Sequence, residues 1–384
     1  MVLFRNIFSV LSTYAKIIYD NFFISSLKKV LVTGSLGYIG SVLTKKLIEN
    51  NFNCIGFDTG FFQDCKLYET NDPKIISKDV RNITESDLNG IDVVIHLAGI
   101  SNDPFNNLEA SVIYDPVRKY TYKIAKLCKK KNIKFIFPSS CSVYGIGKGE
   151  LLTEESPTNP QTSYSVNKLE IENDLKSLTD KDFTPIILRL ATLFGMSPRM
   201  RFDIALNMFV GMALTTKKVI LNSDGSSWRP FVHMSDVCDA FLAAIEFDYH
   251  ENQPLILNVG DNKNNHKIID IAKMVTSSIK NSSVQFLEVD SNLDSIELIK
   301  DQNIQDGIDV RTYSISFDKI KQTFKNFKCN YDILTGINSM TNKLNGIHFS
   351  SLEFNNIDFY RIKKIEDLFN NNKISQNLCW NINN

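Results

Sequence analysis

Lys28 to Gly40 reads KKVLVTGSLGYIG. A short apolar run leads straight into glycines spaced GxxGxxG, after which an amphipathic pattern begins. Strand, glycine turn and helix, in that order, is the context that gives such glycines a meaning. Gly34 permits a tight turn, and Gly37 lets backbone approach a pyrophosphate. Gly40 allows the following helix, expected over Ile39–Asn50, to pack closely on the strand. The N-terminus of that helix favours the pyrophosphate charge. Tyr38 and Ile39 belong to the same loop and are expected beside the nucleotide. A plain turn with a packing glycine fits these three glycines equally well when they are taken alone.

The next segments decide between the two. FNCIGFD is a second strand ending at Asp58, eighteen residues beyond Gly40. An acid there accepts hydrogen bonds from an adenosine ribose and repels a 2′-phosphate. No arginine stands near it in sequence, so NAD is expected rather than NADP. Asp79 in KDVRN follows a third possible strand and would meet the adenine edge, with the Val80 backbone beside it. An ordinary turn aspartate is the alternative. IDVVIHLAG is another strand, and Leu97, Ala98 and Gly99 at its end leave room for a cofactor. KFIFPSS and TPIILRLA continue the series, with helices over 114–131 and 164–178.

Apolar strands alternating with helices predict an α/β fold. It is a Rossmann-type doubly wound parallel sheet covered on both faces, over residues 28–192. After Leu193 the texture changes, with loop signals at NSDGSSW and GDNKNNH. Residues 193–384 therefore read mainly as a smaller mixed α/β C-terminal substrate-binding region, interleaved with the sheet. Segment 292–312 reads as an exposed acidic stretch or connecting loop.

With 384 residues the chain is long enough for one large domain or two coupled ones. Lys+Arg and Asp+Glu both total 43, so the formal net charge is zero. That excludes a global basic footprint, and no nucleic acid partner is expected. The 7 cysteines are scattered and form no CxxC, which favours reduced thiols and a cytoplasmic location. The 5 histidines show no ligand spacing, so no metal is expected. Residues 1–27 are apolar and aromatic, but Arg5, Lys16 and Asp20 interrupt them. No integral membrane span is expected. The segment reads as an extra amphipathic helix packed on the body. A surface membrane contact and an organelle presequence are the alternatives.

The chemistry-bearing stretches come later. SSCSVYG, Ser139 to Gly145, follows the run KFIF, and YSVNK, Tyr164 to Lys168, comes about twenty residues on. Tyr164 and Lys168 stand at i and i+4, on one helix face. An ammonium beside a phenol favours the phenolate and makes Tyr164 a usable base. Both lie at the carboxyl edge of the strands, where ligands of open α/β sheets bind.

With these residues in hand, the chain resembles the extended short-chain dehydrogenase/reductase family, in its NAD-dependent sugar-nucleotide epimerase/dehydratase branch. TGSLGYIG matches the family's TGxxGxxG, YSVNK its YxxxK, and Ser140, four residues before Tyr144, its catalytic Ser/Thr. The similarity covers about 28–384. It implies NAD in the Rossmann domain, a nucleoside-diphosphate sugar in the C-terminal region, and a homodimer built on helices 114–131 and 164–178. Ser140, Tyr164 and Lys168 are then catalytic, and Tyr164 and Lys168 also contact the cofactor. Arg229 in WRPFVH would grip the diphosphate, a role that suits a guanidinium. Asn207 matches a substrate-contact position.

Departures from the pattern matter as well. The family's RxxNxYG reads here Arg189-Leu190-Ala191-Thr192-Leu193-Phe194-Gly195, with Thr192 in place of asparagine. A late family arginine is not evident near Asp306-Gly307, and Arg311 is the substitute. Arg199 and Arg201 read either as phosphate contacts or as a solvated loop. Dehydratases of the branch carry Thr-Asp-Glu where this chain has Ser140-Cys141-Ser142. Neither Cys141, read as a small buried filler, nor Ser142 supplies a carboxylate's proton relay. The expectation is thus an epimerase resembling UDP-glucose 4-epimerase, oxidising C4 transiently. A reductase of a 4-keto sugar nucleotide using NAD(P)H is the alternative. A 4,6-dehydratase and an inactive nucleotide-binding protein stand behind it.

Overall fold

Seven apolar runs pair side by side in the computed structural model, which describes residues 27–101, 109–287 and 311–381 and the backbone of 304–305 and 308–309. The strands are β1 (Lys29–Thr33), β2 (Asn53–Asp58), β3 (Lys74–Ser77), β4 (Val93–His96), β5 (Lys134–Ser140), β6 (Ile186–Leu190) and β7 (Leu255–Val259). Their order is β3-β2-β1-β4-β5-β6-β7, and every pairing is parallel. Val30, Leu31 and Val32 of β1 are fully buried. Burial on both faces explains why the strand is uniformly apolar instead of alternating. Strand order reverses between β1 and β4, which opens a crevice beyond their carboxyl ends. The helix expected over 1–27 and most of the stretch 292–312 lie outside the described residues.

The helices α1 (Gly40–Glu49), α2 (Ala110–Lys130) and α3 (Ser163–Leu178) lie close to the ranges expected from sequence. α2 buries Ile113, Val117, Ile124 and Cys128 along one stripe, the period that defines an amphipathic helix. α3 opens on a reciprocal cap, in which Thr162 Oγ1 accepts from Ser165 N and the Ser165 side chain answers the Thr162 backbone. β7 comes from beyond residue 192, from the region expected to interleave with the sheet, where no particular strand was read from the sequence. A three-stranded sheet of Thr192–Phe194, Trp228–His233 and Asn265–Lys267 stands beside the main one. Among the described residues no helix is long and apolar enough to cross a membrane.

One polar knot ties α3 to this sheet. Arg189 on β6 meets Glu172 on α3 with N–O distances of 2.6, 3.0 and 3.2 Å. The remaining Arg189 amine donates to Tyr144 Oη (2.8 Å), which donates to Asn258 Oδ1 on β7 (2.8 Å). Ser139 Oγ donates to Glu172, and Cys141 Sγ to the Arg189 carbonyl (3.3 Å). Glu172 and Arg189 are 3% and 4% exposed, so each charge depends on the other. Breaking the pair strands a buried charge. Glu172→Ala is expected to lower the unfolding free energy by about 3–5 kcal/mol, read by urea denaturation, with Glu172→Gln losing less. A loss near zero for Glu172→Ala would show that the knot does not hold the helix.

Candidate active site

A cavity of about 790 Å³ runs along the carboxyl ends of the strands, a size that suits a large ligand. Gly34, Gly37, Tyr38, Ile39, Gly40, Leu97 and Gly99 line one end. Ser140, Ser142, Tyr164, Lys168 and Thr192 line its middle, and Arg229 and Arg311 the other end. A smaller hollow of about 140 Å³ shares Gly34, Gly37, Leu97 and Gly99 and adds Asp58, Asp79, Val80 and Ala98. Residues as far apart in sequence as Gly34 and Arg311 thus border one space.

The glycine loop is packed as a nucleotide cradle requires. Gly34 has φ +71°, and a Cβ there would lie 2.7 Å from Ala98 N. A Cβ on Gly40 would lie 2.2 Å from the Gly34 carbonyl oxygen. Only bare backbone lets α1 point its amino end so closely at the crevice. Asp58 braces the same loop, accepting from Leu36 N (2.9 Å) and Gly60 N (2.8 Å). Burial raises its pKa, against those two backbone donors. The carboxylate, the cradle and the helix N-terminus together fit a dinucleotide with a free 2′-hydroxyl.

At this end one expectation changes and one neighbour was not visible in the sequence. Asp79 borders the hollow, but its carboxylate is engaged by Arg81, whose Nε lies 3.0 and 2.9 Å from the two oxygens. The sequence offered no arginine near Asp58, yet the fold brings Arg81 into the same hollow. Its guanidinium is committed elsewhere, to Asp79 and to the carbonyls of Asn377 and Leu378 (both 2.6 Å). Tyr38 likewise spends its hydroxyl within the protein, on the Gly195 carbonyl (2.6 Å).

Tyr164, Lys168 and Glu172 follow one another at four-residue steps along α3. Lys168 Nζ donates to the Pro138 carbonyl (2.8 Å) and sits 4.5 Å from the Phe137 ring centre and 5.8 Å from that of Tyr164. Neighbouring atoms enclose the ammonium although part of the side chain opens on the cavity. Burial pulls its pKa down to about 8, with Glu172 pulling the other way. A cation this close to the phenol stabilises the phenolate. Ser140 Oγ accepts from Ser142 N (3.2 Å) and Ser142 Oγ (2.9 Å). Its own proton is therefore left for a ligand oxygen. Cys141 is buried, and burial pushes its thiol pKa up.

At the far end, Arg229 donates to the Trp228 carbonyl (2.9 Å) and to that of Arg311, and its guanidinium lies 5.3 Å from the Tyr313 ring centre. Asn207 does not border the cavity. It is fully buried, with Gly195 N donating to its Oδ1 (3.0 Å) and its Nδ2 donating to Tyr38 Oη and the Arg201 carbonyl (both 2.9 Å). Arg199 and Arg201 are not on a solvated loop, being 1% and 8% exposed. Arg199 pairs with Asp72 (2.9 Å) and Arg201 with Asp203 (2.9 Å). Asp203 is the one carboxylate among the described residues bordering the large cavity. Burial opposes its ionisation, but Arg201 wins and holds the carboxyl below its usual range. Asp203, Phe62, Tyr313 and Arg361 border the cavity too, and no sequence motif marked them.

A glycine-cradled dinucleotide cleft ending in a Ser–Tyr–Lys set defines a class of oxidoreductase-type enzymes. Residues 30–260 match the NAD dependent epimerase/dehydratase family, and the chain belongs to it. It is an NAD-dependent enzyme. An uncharacterised UDP-glucose epimerase of Bacillus subtilis, YtcB, is 30% identical over 237 residues, 56% of this chain and 72% of that protein. A human dTDP-D-glucose 4,6-dehydratase is 26% identical over 271 residues, 67% of this chain and 75% of that one. The structure of UDP-glucuronic acid 4-epimerase from Bacillus cereus with UDP-glucuronic acid and NAD superposes with a TM-score of 0.66 at 25% identity, over 83% of this chain and 99% of that one.

Lys168 gives this site a testable thermodynamic signature. An unfolded lysine keeps its proton to pH 10.5, and the folded one releases it near 8. Between these values the unfolded chain binds more protons, so the group's stability contribution rises with pH there. Below about pH 8 the full cost of burying the ammonium is present. In the cofactor-free protein, Lys168→Met is expected to melt no lower than wild type at pH 7 while activity is lost. Its advantage should shrink toward pH 10. Calorimetry showing a lower Tm for the variant at both pH values would contradict this.

Proposed function

We propose that the chain is a nucleoside-diphosphate-sugar epimerase that inverts C4 by transient oxidation, in the manner of a UDP-glucose 4-epimerase. One observation carries the reading. The cavity presents Ser140, Tyr164 and Lys168, and its one described carboxylate, Asp203, is tied to Arg201. Loss of water from a sugar needs a proton relay of the carboxylate kind, whereas oxidation at C4 needs only a hydroxyl, a base and a hydride acceptor. The relatives named as 4-epimerases support the same choice.

Arg229 and Arg311 hold the substrate diphosphate, leaving the sugar to reach Ser140 and Tyr164. Tyr164, as phenolate, takes the proton from the C4 hydroxyl. Lys168 stabilises that phenolate and bonds the nicotinamide ribose. Ser140 keeps its proton and donates a hydrogen bond to the C4 oxygen as the carbonyl forms. NAD, held by the glycine loop, Asp58 and Lys168, would supply the acceptor and donor of the C4 hydride, and the sugar would turn its other face before the hydride returns. Tyr164 then returns the proton to the new alkoxide. The same reading makes α2 and α3 one half of a homodimer's four-helix interface. Arg118 joins the two helices into a single face through Asp174 (2.6 Å) and Glu170 (3.2 Å).

Tyr164→Phe is expected to cut turnover on UDP-glucose or UDP-galactose by about 10²–10⁴-fold while leaving the Tm near wild type. Near-full turnover in that variant would sink the mechanism. Denaturing freshly purified protein is expected to release NAD at one per chain. An empty protein that consumes NADH with each turnover would instead make it a keto-sugar reductase.

A further inference from the structure

The family match ends at residue 260, yet the last described segment returns to the nucleotide end of the cleft. Helix Arg361–Asn370 buries Ile365 and Leu368 in a cluster with Ile374, Leu378, Ile113 and Tyr114. The chain then doubles back. Ile374 and Trp380 form an antiparallel bridge, and Ser375 N donates to the Cys379 carbonyl (2.8 Å). At the tip, Leu378 has φ +53°, a left-handed conformation uncommon for a branched side chain. Such a residue persists only where its surroundings hold it.

The surroundings here are the rim of the adenosine hollow. Arg81 donates to the Asn377 and Leu378 carbonyls, both at 2.6 Å, and Asp79 fixes Arg81 in turn. Trp380 Nε1 donates to the Thr59 carbonyl just past β2 (2.6 Å), and its ring centre lies 5.3 Å from that of Phe61. Asn377 and Leu378 are themselves walls of the hollow that holds Asp58, Asp79 and Val80.

We infer that residues 371–381 form a retaining strap across the adenosine end of the cofactor site, with Leu378 packing on the base and Trp380 latching the strap to the rim. With the strap down, the adenosine of NAD is covered, and exchange of cofactor waits on its release. Asp79 then acts on the cofactor through Arg81 and the strap. The inference rests on the dinucleotide site and on neither choice of sugar chemistry.

Two variants of the full chain separate wall from latch. Leu378→Gly removes the wall, and glycine adopts the tip's backbone conformation freely. Trp380→Ala removes the latch. Each is expected to speed dissociation of NADH, followed by its fluorescence without any sugar present, by about tenfold or more. ADP, which carries only the adenosine end, should also bind both variants more weakly by calorimetry. In wild type, NAD and ADP should each slow amide hydrogen exchange across 372–381. Unchanged dissociation in folded variants, or no protection of the strap in wild type, would overturn the proposal. The wild-type exchange result decides alone if a variant fails to fold. A protein that proves to be a reductase leaves all these readings interpretable, because none involves turnover.

Discussion

Inside a protein a carboxylate and a guanidinium must satisfy each other and every remaining donor and acceptor, or the site relaxes to another structure. Glu172 and Arg189 meet that demand by drawing in Ser139, Tyr144 and Asn258, from β5, the turn after it and β7. The consequence for catalysis is positional. Glu172 lies two helical steps of four from Tyr164, so fixing it sets both the rotation and the height of α3. A slip of one residue turns a helix by about 100° and shifts it about 1.5 Å. Lys168 would then leave the Pro138 carbonyl, and Tyr164 would turn from the cavity. The charged pair borders neither cavity, yet the placement of Tyr164 depends on it.

The cofactor end is governed by a different balance. Arg199, Arg201 and Arg361 are all buried, and Asp72 pairs with Arg199 and Asp203 with Arg201. Burial, then Arg201, pulls the Arg361 pKa down to about 10. A cation held at that cost is stabilised by any anion entering the cavity. Arg361 borders the large cavity, where an anion would offset part of the cost of its burial. Lys168 shows the same economy of design at the chemical end. Sites of this kind trade stability for function.

The sheet was legible because its signals are local. β1, β4, β5 and β6 are runs of mostly buried residues, and glycine spacing marks the first turn without reference to anything distant. The proposed catalytic pair was legible for the same reason, since Tyr164 and Lys168 are neighbours on one helix. What failed was long-range. Asn207 looked like a ligand contact in its segment, but Gly195 and Tyr38, brought together only by folding, consume its amide. Arg81 was invisible beside Asp58 because β3 must pair with β2 before the two approach. β7 was missed because it is separated from β6 by a whole excursion through the smaller sheet. The arginines at 199 and 201 read as solvent-facing for want of the partners that bury them.

The two ends of the cleft meet in the demands of the proposed reaction. An epimerase must hold its nucleotide still while the 4-keto sugar turns to present its other face. A grip at Arg229 and Arg311 does this, because it holds the diphosphate away from Ser140 and Tyr164 and leaves the sugar on a tether within a wide cavity. The cofactor faces the opposite requirement. It ends each cycle as it began, so nothing in the chemistry calls for its exchange, and each loss idles the enzyme until another molecule binds. A chain segment latched over the adenosine, far from the turning sugar, slows that loss without hindering the motion that inversion needs. Mobility at the substrate end and closure at the cofactor end are thus compatible because the cleft is long enough to keep them apart.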